Sequence, residues 1–236
     1  VAFTTNGKVK QLAQDNGIPT FTIDYISAPR AALGYSFIPL IVLLSQLGFL
    51  PDKSQEVQEM AQILESSLAD LAENVPESAN PAKQLARKLP GKIIVIYGAG
   101  TLSPVARRWK GQFNENSKAW AFYETLSELN HNSVVGYEFP HEMSPDIYVL
   151  LLRCPLLHPR IQSRYTITSQ MLSNAGVEHQ IVNSKGNDDL SQMMSLVFLG
   201  DWTSYYLAML YGTDPTPVKA IDFLKGKLKN GGGSGI

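Results

Sequence analysis

Two residues with acid/base side chains lie close together in a polar part of this sequence. Glu115 lies in Phe113-Asn114-Glu115-Asn116-Ser117-Lys118, and His131 lies in Asn130-His131-Asn132. An imidazole can exchange protons near neutral pH, since the ordinary pKa of histidine is about 6.5. A carboxylate can do so where partial burial raises its pKa toward that range. The pattern indicates an acid/base site rather than a core. Taken alone, however, a glutamate at a helix end is more often a surface residue.

The amino-terminal part of the chain predicts a strand, a helix and a second strand. Residues 1–4 and 18–23 are rich in β-prone side chains, and residues 8–16 have helical spacing that ends at Gly17. This order within so short a stretch favours a parallel sheet.

An apolar helix is expected next. Ser27 can cap it, Pro29 suits its first turn, and it should end near Gly48. Its most apolar part, residues 37–50, is too short to span a bilayer, so we expect it in a core or at a subunit interface.

The middle of the chain predicts a long amphipathic helix and then a connection. Apolar residues recur at three-to-four spacing from Val57 to Leu71. Residues 75–81 contain two prolines and are the predicted domain boundary, and a short helix should cover residues 81–89.

The remainder of the chain predicts a doubly wound α/β domain of three αβα layers with a parallel sheet. Ligands of such sheets bind beyond the carboxyl ends of the strands, where the glycine loop that begins at Gly98 lies. We expect Glu115 at the end of the helix that follows this loop. The predicted order is strand 92–97, glycine loop, helix to 116, a polar irregular stretch, strand 147–152, helix 159–174, strand 177–183, a helix capped by Asp188 or Asp189 that runs to Leu210, and a last helix 218–228.

The glycine loop resembles a dinucleotide fingerprint but does not complete one. Gly98-Ala99-Gly100 lacks the third glycine, and no acidic residue follows a second strand at the position of a ribose ligand. The four histidines are too dispersed to suggest a metal site. We therefore expect neither a nucleotide cofactor nor a metal.

Composition excludes several classes of function. The formal net charge of −1 gives no basis for binding nucleic acid or anionic membranes. The single cysteine, Cys154, excludes an intrachain disulfide and suggests a reducing compartment such as the cytoplasm. The start does not read as a signal peptide, and residues 230–236 have the Gly/Ser composition of a linker or an added tail.

Four motifs together resemble the bifunctional phosphoglucose/phosphomannose isomerase family, whose members contain two sugar-isomerase (SIS) domains. The resemblance covers residues 1 to about 229, and four motifs in this order are a specific signal. The motifs are Ser27-Ala28-Pro29-Arg30-Ala31-Ala32-Leu33, Phe113-Asn114-Glu115-Asn116-Ser117-Lys118, Asn130-His131-Asn132, and Asp214-Pro215-Thr216-Pro217 followed by Ile221-Asp222-Phe223-Leu224-Lys225.

The resemblance implies an aldose–ketose isomerisation of glucose, fructose and mannose 6-phosphates through a cis-enediol, without a cofactor, in glycolysis and gluconeogenesis. It implies that Glu115 is the base and that His131, from a neighbouring subunit of a homodimer, opens the ring. Lys225 would assist at the ring oxygen, and Arg30 would stabilise the enediolate. Taken alone, Lys225 and Arg30 would be an ordinary solvated lysine and an ordinary first-turn arginine.

The resemblance also carries expectations about binding and domains. Thr216, Asn132 and Ser27 are the expected substrate-binding residues, although Val218 aligns with the threonine linked to mannose activity. Residues 1–50 would be the end of a first SIS domain whose phosphate loops precede Val1, residues 51–90 a helical connection, and residues 91–229 the second SIS domain. The alternative is a non-catalytic, SIS-type sugar-phosphate-binding module with a regulatory role.

Overall fold

The computed structural model describes residues 1–231, so residues 232–236 of the predicted Gly/Ser tail lie outside the described residues. The chain divides into two compact units, Val1–Glu59 and Met60–Ile236. The division falls inside one long helix, Ser54–Leu71.

The first unit begins with the predicted strand–helix–strand order. Strands β1 (Ala2–Thr4) and β2 (Thr20–Thr22) pair in parallel, and helix α1 (Lys8–Asp15) connects them. Gly17, with φ of 63°, ends α1 in the left-handed conformation that glycine adopts readily. The prediction of a small parallel βαβ element is confirmed.

The apolar helix α2 (Leu33–Gln46) differs from its prediction in two respects. Ser27 does not cap it, because its hydroxyl donates to the Ala28 carbonyl and the extended Ala28 leads into a separate 3₁₀ turn, Pro29–Ala31. Of the two expected locations, a core within this chain is excluded, since no α2 residue is buried and Leu40 is 43% exposed, and a subunit interface stays a prediction. The unit offers α2 little surface to pack against, since its other regular elements are a two-stranded sheet, α1, a 3₁₀ turn and the start of the helix Ser54–Leu71.

The second unit contains most of the regular structure. Its elements, after helix α3 (Ser54–Leu71), are α4 (Pro81–Ala86), β3 (Ile93–Gly98), α5 (Ser103–Asn116), β4 (Ala121–Thr125), α6 (Leu126–Leu129), β5 (Ile147–Arg153), α7 (Pro159–Asn174), β6 (Glu178–Asn183), α8 (Asp189–Leu210) and α9 (Lys219–Gly231).

These strands form one parallel sheet in the order β4-β3-β5-β6. On one face α5 packs against the sheet and α8 packs on α5, whereas α7 packs against β5 and β6 on the other face. The central strand residues Ile94, Ile96 and Leu150 are fully buried. The predicted three-layer α/β architecture is confirmed.

Strand β4 was missing from the sequence prediction. The stretch after α5 was expected to be irregular, yet residues 121–125 pair with β3 along its length. The aromatic run Trp120-Ala121-Phe122-Tyr123 is a β-prone signal that the surrounding Asn and Ser residues obscured.

The glycine loop after β3 is explained by close packing. A Cβ on Gly98 would lie 2.5 Å from the Leu102 carbonyl oxygen, so a side chain would clash with the turn that starts α5. At Gly100, φ is 53° and a Cβ would lie 2.8 Å from Leu157. The local fold therefore requires both glycines, whether or not a ligand is present. None of the helices within residues 1–231 has the length and apolar character to cross a bilayer.

Candidate active site

Glu115 lies in the last turn of α5, beside a cavity. The helix is anchored by Trp109 and Phe113, both fully buried, whereas Glu115 is half-buried. The cavity has a volume of about 550 Å³. Its lining comes from the end of α5 and from the segment before and within α9: Asn114, Glu115, Lys118, Thr213, Asp214, Pro217, Val218, Lys219, Ala220 and Ile221.

Helix α8 holds the carboxyl-terminal half of α5 through polar contacts. The Asp201 carboxylate accepts from Arg108 Nη2 at 2.8 Å and from Gln112 Nε2 at 2.6 Å. Further along, Asn116 Nδ2 donates to Ser204 Oγ at 2.9 Å. Burial raises the pKa of Asp201 and Arg108 opposes that rise. Hydrogen bonds along two turns thus fix the helix end that carries Glu115.

Glu115 lies at the end of the helix that follows the Gly98 loop, as predicted, but this end is not at the carboxyl edge of the sheet, where the ligand was expected. Helix α5 starts at the carboxyl end of β3 and runs back along the sheet for 14 residues, about 21 Å at 1.5 Å per residue. Its far end lies beside the start of β3, where Ser117, Lys118 and Lys92 line one small pocket. The prediction placed the ligand at the carboxyl edge and did not take into account that α5 ends at the opposite edge of the sheet.

His131 lies at the opposite edge of the sheet from Glu115. It is an exposed turn residue after α6, and its backbone N–H donates to the Glu128 carbonyl at 2.9 Å. Strand β4 lies between the two residues, and its 5 residues span on the order of 16 Å. One copy of the chain therefore does not bring Glu115 and His131 together.

Asn132 next to His131 is engaged locally. Its Oδ1 accepts from the backbone N–H of Ser133 at 2.6 Å, and its Nδ2 donates to Glu128 Oε1 at 3.0 Å. These bonds shape the turn that presents His131. Asn132 as a substrate-binding residue stays a prediction.

The carboxyl-terminal motif divides between the cavity and an exposed helix. Asp214 Oδ1 accepts from the backbone N–H of Thr216 at 2.8 Å, and this bond lowers the pKa of Asp214. The turn places exposed Thr216 between the cavity-lining residues Asp214 and Pro217. Lys225 is exposed further along α9, one turn beyond the cavity-lining Ile221.

Arg30 and Ser27 belong to the first unit. Arg30 is half-buried in the 3₁₀ turn Pro29–Ala31, and Ser27 is exposed before it. The motif that contains both residues therefore forms a turn ahead of α2 rather than the first turn of that helix.

Comparison with known proteins assigns the family. Residues 78–228 match the model of the bacterial phospho-glucose isomerase C-terminal SIS domain. A bifunctional phosphoglucose/phosphomannose isomerase of Caldicellulosiruptor bescii is 42% identical over 97% of this chain and 68% of its own length. The chain belongs to the bifunctional phosphoglucose/phosphomannose isomerase family. The Aquifex aeolicus member of this family is 34% identical over 97% of this chain and 67% of its own length.

A solved structure agrees with this family assignment. A glucose-6-phosphate isomerase like protein from Thermus thermophilus is 26% identical, with a TM-score of 0.62 over 74% of this chain and 57% of that one. The chain spans about two thirds of the length of the two relatives above.

Two polar residues near the family's motifs were missed by the sequence analysis. Asp201 holds α5 from α8, and nothing in a mid-helix aspartate predicts which helix it will face. Lys118 closes the Glu115 motif and adopts φ of 56°, the left-handed region that side chains disfavour. A lysine directly after a helix end, where glycine is usual, was the available signal.

Proposed function

We propose that this chain is an aldose–ketose isomerase acting on sugar 6-phosphates. It would interconvert fructose 6-phosphate with glucose 6-phosphate, and with mannose 6-phosphate, through a cis-enediol. The observation that carries the proposal is that two separate family motifs line one cavity, with Glu115 on one side and the segment 213–221 on the other. A catalytic carboxylate beside a binding segment is what proton transfer in a bound sugar requires.

Glu115 would shuttle the proton between C1 and C2 of the open-chain sugar. A base of this kind must sit on a rigid element, because small displacements reduce the rate steeply. The contacts from α8 to α5 supply that rigidity. Lys225 would assist at the ring oxygen and Arg30 would stabilise negative charge on the enediolate. Thr216, Asn132 and Ser27 would contact the substrate.

His131 would complete the site from a second copy of the chain. The separation of Glu115 and His131 across the sheet supports this arrangement, and so does the exposure of His131. The functional form would therefore be a homodimer with sites shared between subunits. Such an enzyme would act in the cytoplasm, in glycolysis and gluconeogenesis.

The proposal extends to the domains of the chain. Residues 91–229 would form the second SIS domain, and residues 1–50 the end of a first one, joined by residues 51–90. Residues 230–236 would be a linker or added tail.

Replacing Glu115 tests the proposed chemistry. In the protein as its own host expresses it, Glu115→Gln should lower kcat for fructose 6-phosphate by about 10²–10⁴-fold, the usual contribution of a positioned base. Glu65→Gln, at an exposed position of α3, is the matched control and should leave kcat within about two-fold. Equal activity of Glu115→Gln and the unchanged protein would refute the mechanism. Binding of fructose 6-phosphate without turnover by the unchanged protein would instead favour a regulatory binding module.

Mixing two inactive variants tests the shared site. Glu115→Gln and His131→Ala each destroy every site of a homodimer, whereas a mixed dimer has one site with both residues intact. Equal mixing after subunit exchange should restore roughly a quarter of the original activity. Lack of recovery despite demonstrated exchange would contradict a site built from two subunits.

A further inference from the structure

The ammonium group of Lys118 lies among carbonyl oxygens from two separate segments. Its Nζ is 2.7 Å from the Glu115 carbonyl and 3.3 Å from that of Asn116. It is also 2.9 Å from the Asp214 carbonyl and 3.2 Å from that of Pro215. One cation therefore joins the end of α5 to the segment that forms the other wall of the cavity.

The chemistry of both partners suits this contact. The last carbonyls of an α-helix have no partner within the helix and carry partial negative charge. An ammonium has three N–H donors and accepts no hydrogen bond, so it can serve acceptors on two segments at once. The two shortest contacts, to Glu115 and Asp214, lie on opposite sides of the junction.

The backbone provides a second, independent indication. Lys118 has φ of 56°, in the left-handed region where a side chain is strained and where glycine commonly ends a helix. Glycine would remove this strain but would also remove the ammonium. A lysine at such a position indicates that the side chain has a role for which the strain is tolerated.

We propose that Lys118 is a positioning residue that holds the Asp214–Pro215 segment against the end of α5, so that Glu115 and the turn containing Thr216 keep a fixed spacing. This inference rests on the proposed isomerase function of the same cavity. Lys118 acts through the backbone carbonyls of these two segments. Loss of the ammonium should lower kcat, because Glu115 is misplaced, and raise KM, because the binding segment is loosened.

Lys118→Gly separates positioning from stability. This variant relieves the strained backbone, so its melting temperature should stay equal or rise, whereas kcat/KM should fall by at least about ten-fold. If Lys118 served stability alone, activity would change only in proportion to the folded fraction of the protein, and KM would stay unchanged. Lys118→Arg keeps a cation with several donors and should recover part of kcat/KM. Arg107→Met, a change of charge at an exposed position of the same helix, is the control and should stay within about two-fold.

Hydrogen exchange provides a readout that does not depend on turnover. In Lys118→Gly the backbone amides of residue 216 and residues 218–221 should exchange faster, while those of β3 should be unchanged. Two results would overturn the positioning role and leave the isomerase proposal intact. One is unchanged exchange in residues 216 and 218–221 of Lys118→Gly. The other is an undiminished kcat/KM in Lys118→Gly when Glu115→Gln is inactive. An unchanged protein without isomerase activity would refute the proposed function, and the exchange result would still decide whether Lys118 holds the segment.

Discussion

The two units of the chain differ in how far their apolar residues are buried. In the first unit, all of whose residues the structure describes, Ala13 alone is buried, at 3% exposure, although α2 is composed mainly of apolar residues. In the second unit, α5 contains arginines, a lysine and asparagines, and yet it buries Trp109 and Phe113 completely. Burial depends on the surface available opposite a helix rather than on the helix's own composition.

The same contrast applies to the candidate site. Glu115 is carried by a helix that is packed between a sheet and α8, so its position is set within a single chain. His131 and Lys225 lie on exposed elements. The position of Glu115 is thus set by the core, whereas the proposed roles of His131 and Lys225 would require a second surface to fix them.

Trp109→Ala should give the largest loss of stability. The indole is fully buried, its Nε1 donates to the Leu196 carbonyl at 2.8 Å, and Gly200 packs directly on the ring. We expect the free energy of unfolding to fall by about 3–5 kcal/mol in urea denaturation. Trp120→Ala, at a residue 74% exposed, is the matched control and should cost less than about 0.5 kcal/mol. Similar losses in the two variants would break the contrast between core and surface.

Asp201→Asn should change how stability depends on pH. Because burial raises the pKa of Asp201, the folded state binds more protons than the unfolded state above the ordinary value of 3.8. This group's contribution to stability is therefore present at low pH and is lost as pH rises through the raised pKa. The free energy of unfolding in urea, measured between about pH 4 and 8, should fall less steeply with pH in Asp201→Asn than in the original protein. Parallel curves would mean that Asp201 is not desolvated between α5 and α8.

Leu47→Ala should have the smallest effect. Leu47 is 58% exposed at the end of α2, so the free energy of unfolding should change by less than about 0.5 kcal/mol. Leu150→Ala in β5 provides the internal comparison, since Leu150 is fully buried and its loss should cost about 2–5 kcal/mol. A loss above about 2 kcal/mol for Leu47→Ala would contradict this expectation and would show that another surface covers this end of α2.

Sequence patterns predicted the elements whose signals are local. Strand β3 has a continuous apolar run, α7 begins at Pro159, and Asp188 caps α8 by accepting from the Ser191 N–H. The patterns gave wrong predictions where the outcome depends on tertiary packing. Strand β4 forms because β3 presents a free edge to it, and α2 stays exposed because its unit offers little surface.

The candidate site shows the same limit. The motif around Glu115 could be found from sequence, but its place at the amino edge of the sheet depends on the length and direction of α5. The segment 213–221 lies about a hundred residues away in sequence, and only the fold places it opposite Glu115. Lys118 could have been noticed as a non-glycine helix terminator, whereas its contact with Asp214 could not.

The hydrogen bond from Trp109 to Leu196 has a consequence during synthesis of the chain. These residues are 87 positions apart, which ribosomes translate in roughly 4–17 s at about 5–20 residues per second. During that interval the indole ring of Trp109 is exposed, because the segment that contains Leu196 has not yet been synthesised. The packing that later fixes the helix carrying Glu115 thus leaves an exposed apolar surface during synthesis, of the kind that chaperones bind.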